Sequence, residues 1–211
     1  MLSGRDTSRM VLGHLNGTEV ILMTAPSERM NDQESLNSER PSEKTQEPAQ
    51  QLSVMSYQLP TLKAAGSGRE VTLNSIGKPA VLLFHTADTA EDAQRINQAV
   101  RAVGEYQACT SITIANVVDL RSVPKLFRGF AEKSMRESFY KASKSVPQGE
   151  DPQDYVIILP DWDGKATKGF GLEDTGKVVG LAVLDAQGSM VGTYQGDEPE
   201  CHALELLTQI K

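Results

Sequence analysis

The sequence predicts an α/β fold: a central mixed β-sheet flanked by helices, with one β-hairpin before it and another β-hairpin plus a helix closing it. Three observations predict it. Apolar runs of strand length, Ala80–Phe84, Ser111–Val118 and Tyr155–Leu159, alternate with stretches of helical periodicity, an order that demands parallel strands joined by right-handed crossovers. Two further apolar runs flank Ala186-Gln-Gly188, a strong signal for an antiparallel hairpin. With 39% hydrophobic and 23% charged residues in 211 positions, the chain carries enough apolar surface for one core.

The elements follow in order from about Val54. Val54–Leu62 and Val71–Leu73 surround Ala64-Ala-Gly-Ser-Gly68, whose glycines supply turn conformations, so this stretch reads as the first hairpin. Ala80-Val-Leu-Leu-Phe84 is a continuous apolar run, the pattern of a central strand buried on both faces. After it, Ile96, Ala99, Val100 and Val103 fall on one helical face, and Thr89 followed by Glu91 and Asp92 is a helix start with acidic side chains at the positive end of the dipole. A second helix is expected from about Pro124, with Phe127, Phe130, Ala131, Met135, Phe139 and Ala142 as its apolar stripe. Pro147–Gln153 reads as a loop, Lys165–Leu172 as a short helix, Leu181–Asp185 and Met190–Tyr194 as the second hairpin, and Ala203–Ile210 as the closing helix.

Composition removes several classes of function. The formal charge of −7 argues against a general nucleic-acid binder, which needs a basic face. No run approaches the roughly 18 apolar residues of a membrane span. Only two cysteines occur, Cys109 and Cys201, which excludes a disulfide-stapled scaffold, a zinc finger and a CxxC motif. Residues 1–53 are expected to be a disordered or mis-started extension, and 54–211 the domain. The stretch from Asn31 to Gln51 is dominated by Gln, Glu, Ser, Asn and Pro and lacks the apolar residues that offset chain entropy. Met30 stands just before it as an alternative start. In Val11–Ala25, His14, Asn16 and Glu19 interrupt the apolar residues, so no export signal is read and a cytoplasmic location is expected.

The element order, with Leu59-Pro-Thr-Leu62, Arg69–Leu73 and Gly77-Lys-Pro-Ala-Val-Leu-Leu-Phe84 at its front and Gly180–Gly196 before the last helix, resembles the thioredoxin-like superfamily in its peroxiredoxin-type branch, the alkyl hydroperoxide reductase and thiol-specific antioxidant proteins. The resemblance covers about Val54–Lys211. It implies a thioredoxin-like fold and a reactive cysteine just after the first central strand, where a helix N-terminus stabilises the thiolate. Overlaid on that pattern, Thr89 and Asp92 stand where the two cysteines of CxxC would be. In the peroxiredoxin form, Thr86 and Thr89 take the places of the threonine and cysteine of TxxC. Val179 falls at the position of the family's cis-proline. The resemblance therefore implies a degenerate, redox-inactive site and a binding or structural module, with an unknown protein or small ligand in the groove around Thr86, Thr89, Asp92 and Val179. The alternative is a thiol-dependent peroxidase or oxidoreductase with a displaced cysteine. Cys201 is its carrier, although Asp197, Glu198 and Glu200 beside it disfavour a thiolate.

Other motifs read as structure. Asp161-Trp-Asp-Gly164 follows an apolar strand, as the aspartate nucleophile of haloacid-dehalogenase-like phosphatases does. Pro160 and Lys165 break that pattern, and a polar turn is the expectation. His85, with Asp88 nearby, has no predicted serine or cysteine partner and is expected to be structural. The stretch Arg121–Lys144 is rich in cations, and Arg121, Lys125, Arg128, Lys133 and Arg136 form a solvated helix face or a docking surface for an anion or acidic partner. No cofactor and no metal site is expected.

Overall fold

The computed structural model describes Arg9–Leu15, Thr18–Met23 and residues 59–210. Arg9–Leu15 (β1) and Thr18–Met23 (β2) form an antiparallel pair whose backbone contacts two helices of the domain. Within residues 1–53, expected to be a disordered or mis-started extension, β1 and β2 are strands, and the other residues, Asn31 to Gln51 among them, lie outside the described residues.

The first hairpin of the domain is short: Thr61–Lys63 (β3) pairs antiparallel with Glu70–Thr72 (β4). Ala80–His85 (β5) is buried along its whole length, because it has strands on both sides and helices or loops on both faces. It pairs in parallel with Thr113–Asp119 (β6), which pairs in parallel with Ile157–Asp161 (β7). On its other side it pairs antiparallel with Gly180–Leu184 (β8), which pairs with Met190–Gln195 (β9). The sheet order is β7-β6-β5-β8-β9. Pro160 is tolerated within β7 because that strand is an edge.

Five helices complete the domain: Ala90–Ala102 (α1), Arg128–Ser143 (α2), Pro152–Tyr155 (α3), Lys165–Gly169 (α4) and Pro199–Leu207 (α5). Alternation along the strands divides the core. Leu82, Phe84, Ala115 and Val117 pack on one face with Leu73, Phe170 and Leu172. Val81, Leu83 and Ile114 pack on the other with Ile96 and Val100 of α1 and Ala203 and Leu207 of α5. Met135 and Phe139 of α2 cover Val118, Leu120 and Ile158. A parallel β-α-β unit joined to a β-hairpin and a final helix around one central strand is a thioredoxin-like fold.

Three local expectations are corrected. The second helix starts at Arg128 after a 3-10 turn over Lys125–Phe127. Its stripe is Ala131, Met135, Ser138, Phe139 and Ala142, while Phe127 and Phe130 are exposed. The reason is geometric: the 3-10 turn breaks the helical phase before Phe127, and Phe130 lies about 100° from Ala131 on the helix. In α1 the buried positions are Ala90, Ala93, Ile96 and Val100, and Val103 falls past the helix end. The loop expected at Pro147–Gln153 gives way to α3, whose Asp151 accepts the Gln153 N–H at 2.9 Å, with proline at the first helical position.

Candidate functional site

The carboxyl ends of β5, β6 and β7 lie together, the place where α/β sheets present their ligand sites. Here the chain puts His85, Asp119 and Asp161, followed by the turn Thr86–Thr89 that starts α1. Thr89 is buried at 3% exposure. Its hydroxyl accepts the Thr86 N–H at 3.2 Å and donates to the Thr175 carbonyl at 2.6 Å. It does not cap α1 through its side chain, so the capping role expected of it is replaced by a tether between two loops. The Thr86 hydroxyl accepts the Asp88 N–H at 3.2 Å and closes the same turn.

Thr175 continues the network. Its hydroxyl donates to Asp119 Oδ2 at 2.9 Å, and the same carboxylate accepts Arg121 Nε at 3.0 Å and Nη2 at 2.6 Å. Burial alone would push the Asp119 carboxyl up. The hydrogen bonds from Arg121 and Thr175 outweigh it and hold the group below its ordinary value, so it is an anion at neutral pH. Arg121 is correspondingly held protonated, chiefly by its bond to Asp119. Arg121, Asp119, Thr175, Thr89 and Thr86 thus form one connected set across the strand ends. Sequence reasoning missed Thr175, Asp119 and the link between them, because neither spacing nor composition marks residues 56 positions apart as partners.

Asp161 is fully buried and accepts from the Thr167 N–H at 2.9 Å and hydroxyl at 2.8 Å. This fixes the start of α4, and Asp161 Oδ1 has no hydrogen-bond partner. Asp163 pairs with Lys165 at 2.7 Å on the surface. Gly164 has φ +71, and a Cβ there would crowd the Arg121 side chain that reaches Asp119. The motif is a polar turn that supports the network.

Val179 is 1% exposed and packs in the α1–α5 face of the core. Among the described residues there is no cis peptide bond. Asp92 is half-buried and pairs with Arg95 at 2.7 Å, and Arg95 in turn reaches Glu200 at 3.1 Å. Of Thr86, Thr89, Asp92 and Val179, Thr86 lines a cavity of about 40 Å³ shared with His85, Ala87, Ala90, Val118 and Met135. His85 is fully buried with Nδ1 2.7 Å from the Thr86 carbonyl and no hydrogen bond at Nε2. Burial pushes its pKa below the ordinary value, against smaller raising effects of Thr86 and Asn116, so it is neutral at pH 7; Ser134 and Ser138 line the same cavity.

The cysteines are apart and free. The registers Ala80↔Thr113, Phe84↔Gly180 and Gly180↔Gln195 put Cys109, which precedes β6, at one end of the sheet and Cys201, in the first turn of α5, at the other. Cys109 is buried, and desolvation followed by Glu150 pushes its thiol up. Cys201 is exposed.

The cations also separate. Arg121 is committed to Asp119, and Arg128 stacks 5.0 Å over Trp162. Lys133 pairs with Glu137 at 3.7 Å, while Lys125 and Arg136 are exposed. Beside them Leu126 is 87% exposed and Phe130 52%, at the start of α2 and just before Ala131, which lines the Thr86 cavity.

No protein-family model matches the chain, and no curated protein matches it. Among solved structures it is similar to MTB dsbF, with 18% identity over 75% of this chain and 100% of that one and a TM-score of 0.48. It is similar to a thioredoxin-like protein from Aeropyrum pernix, with 15% identity over 72% and 90% of the two chains and a TM-score of 0.47. A secreted Mycobacterium tuberculosis disulfide oxidoreductase gives 13% identity over 74% and 100%, with a TM-score of 0.45. Among the described residues no helix is long and apolar enough to cross a membrane.

Proposed function

We propose that this chain is a thioredoxin-like recognition module without thiol chemistry, a degenerate relative of the peroxiredoxin-type branch. The observation that carries the reading is Thr89. It stands at the thiol position, and its hydroxyl is both buried and hydrogen-bonded to Thr175 and Thr86. An unactivated hydroxyl cannot attack peroxide or disulfide sulfur, and no base adjoins it. The polar network occupies the place where a redox site would have to be open.

In this reading the binding surface is the start of α2. Exposed Leu126, Phe127 and Phe130 supply apolar contact, Lys125 supplies a nearby free charge, and the Thr86 cavity beside them has room for a small apolar side chain. The partner that fits is a protein segment with acidic and apolar residues, steered by opposite charge. A cytoplasmic location belongs to the same proposal, and fractionation tests it.

The second reading is thiol chemistry at Cys201, favoured by that residue's exposure and its place in the first turn of α5. Peroxide treatment followed by dimedone capture and mass spectrometry separates the two. The proposal expects Cys201 to be sulfenylated no faster than a free cysteine. A rate orders of magnitude above that establishes a peroxidatic thiol and removes the proposal.

A further inference from the structure

A cleft of about 540 Å³ opens between the β3–β4 turn, α2 and the end of β7, within the size range of small-molecule sites. Met135 lines both this cleft and the Thr86 cavity, and every other lining residue differs. Trp162, Pro160 and Met135 give the cleft an apolar wall, while Lys63, Arg136 and Glu132 stand around it at exposed positions. These three charged side chains meet solvent, so a molecule in the cleft can reach them.

Trp162 is the only tryptophan of the chain. It is half-buried against the cluster of Val118, Leu120, Met135 and Phe139, and the Arg128 guanidinium lies 5.0 Å from its ring centroid. The core on one side and the cation over the ring fix the indole before any ligand arrives, which lowers the entropy lost on binding. Pro160 adds rigid apolar surface, and Met135 adds a polarisable thioether that packs well against aromatic rings.

The charges near the cleft are unevenly committed. Arg69 and Lys133 pair with Asp154 and Glu137. Lys63 and Arg136 have no ion-pair partner among the described residues, and Glu132, four residues before Arg136 on α2, does not pair with it. Two cations and one acid leave the lining with one net positive charge, on a chain whose formal charge is −7. A concave surface with an apolar wall focuses such a field and draws anions to it.

We propose that this cleft binds a small aromatic monocarboxylate, its ring against Trp162, Met135 and Pro160 and its carboxylate met by Lys63 and Arg136. The ligand needs both parts. A neutral ring forfeits the two cations, and an anion without a ring forfeits the apolar wall. One negative charge matches the lining, because Glu132 repels a second.

Trp162 reports occupancy directly, since no other indole contributes to the emission. Full-length protein, excited at the red edge of indole absorption, is titrated with sodium benzoate and sodium phenylacetate at constant ionic strength, beside benzamide, sodium acetate and sodium phosphate. The expected result is a saturable change with at least one of the two aromatic carboxylates, and binding weaker by about tenfold or more for benzamide, acetate and phosphate. Lys63→Gln and Arg136→Gln, both at exposed positions and so without effect on folding, should each weaken binding severalfold, and the double variant by about tenfold or more. Lys144→Gln removes the same charge from an exposed position outside the cleft and should leave binding unchanged. The proposal is overturned by the absence of a saturable change with either aromatic carboxylate, or by benzamide, acetate or phosphate binding as tightly. Undiminished binding in the double variant overturns it too, as does an equal loss in Lys144→Gln.

Discussion

Thr89 donates its hydroxyl proton to the carbonyl oxygen of Thr175 at 2.6 Å, joining residues 86 positions apart. Through this bond the loop that starts α1 is tied to the loop that leads into β8. The second hydroxyl of the pair, that of Thr175, turns to Asp119. The two threonines therefore lock the carboxyl ends of β5 and β6 to one another.

Thr89→Val keeps shape and removes the hydroxyl, leaving the Thr175 carbonyl and the Thr86 N–H unpaired. A loss of about 1–3 kcal/mol is expected, against less than about 1 for Thr89→Ser. Urea unfolding of the two variants measures the difference, and equal stability of valine and serine would show that the bond contributes little.

Gly164→Ala should destabilise by about 1–3 kcal/mol, because φ +71 is unfavourable for a side chain and the new methyl meets Arg121. In an Arg121→Ala background the steric part disappears and the strain remains, so the glycine substitution should cost less there. Additive costs in a double-mutant cycle would contradict the described contact.

How far the sequence disclosed these features depends on the kind of residue. The buried strand Ala80–His85 and the hairpin around Gly188 were legible, because uninterrupted apolar runs and turn glycines are local signals. Phe130 misled, since periodicity marks it as apolar but cannot tell which side of α2 meets the sheet. That residues 86, 89 and 92 are Thr, Thr and Asp is visible as residue types. The Thr–Thr–Asp–Arg set that the fold assembles is not, because Thr175 and Asp119 come together only through the crossovers of the fold.

Phe130 and Phe139 offer a matched contrast on one helix. Phe139→Ala removes a ring that is 6% exposed and should cost about 3–5 kcal/mol. Phe130→Ala, at 52% exposure, should stay within about 0.5 kcal/mol. Thermal unfolding of both variants checks the exposure of the apolar patch, and a large loss at Phe130 would place that ring in the core.

His85 makes stability depend on pH in a definite direction. Its folded pKa lies below the ordinary 6.5, so the folded state binds fewer protons than the unfolded chain. The stability it contributes is complete above about pH 6.5 and is lost as pH falls from there toward the folded pKa, at up to about 1.4 kcal/mol per pH unit. The difference curve between wild type and His85→Gln, from pH 7.5 to 5, should slope in that sense, and a flat curve would show that His85 takes up its proton in place.

The most direct test of the account is turnover of hydrogen peroxide and of insulin disulfides by the full chain beside Cys109→Ser, Cys201→Ser and the double variant. The account predicts wild-type rates no higher than those of a free thiol, with no more than that background lost in any variant. Turnover well above that level, abolished by Cys201→Ser and retained in Cys109→Ser, would show a relocated thiol site and contradict it.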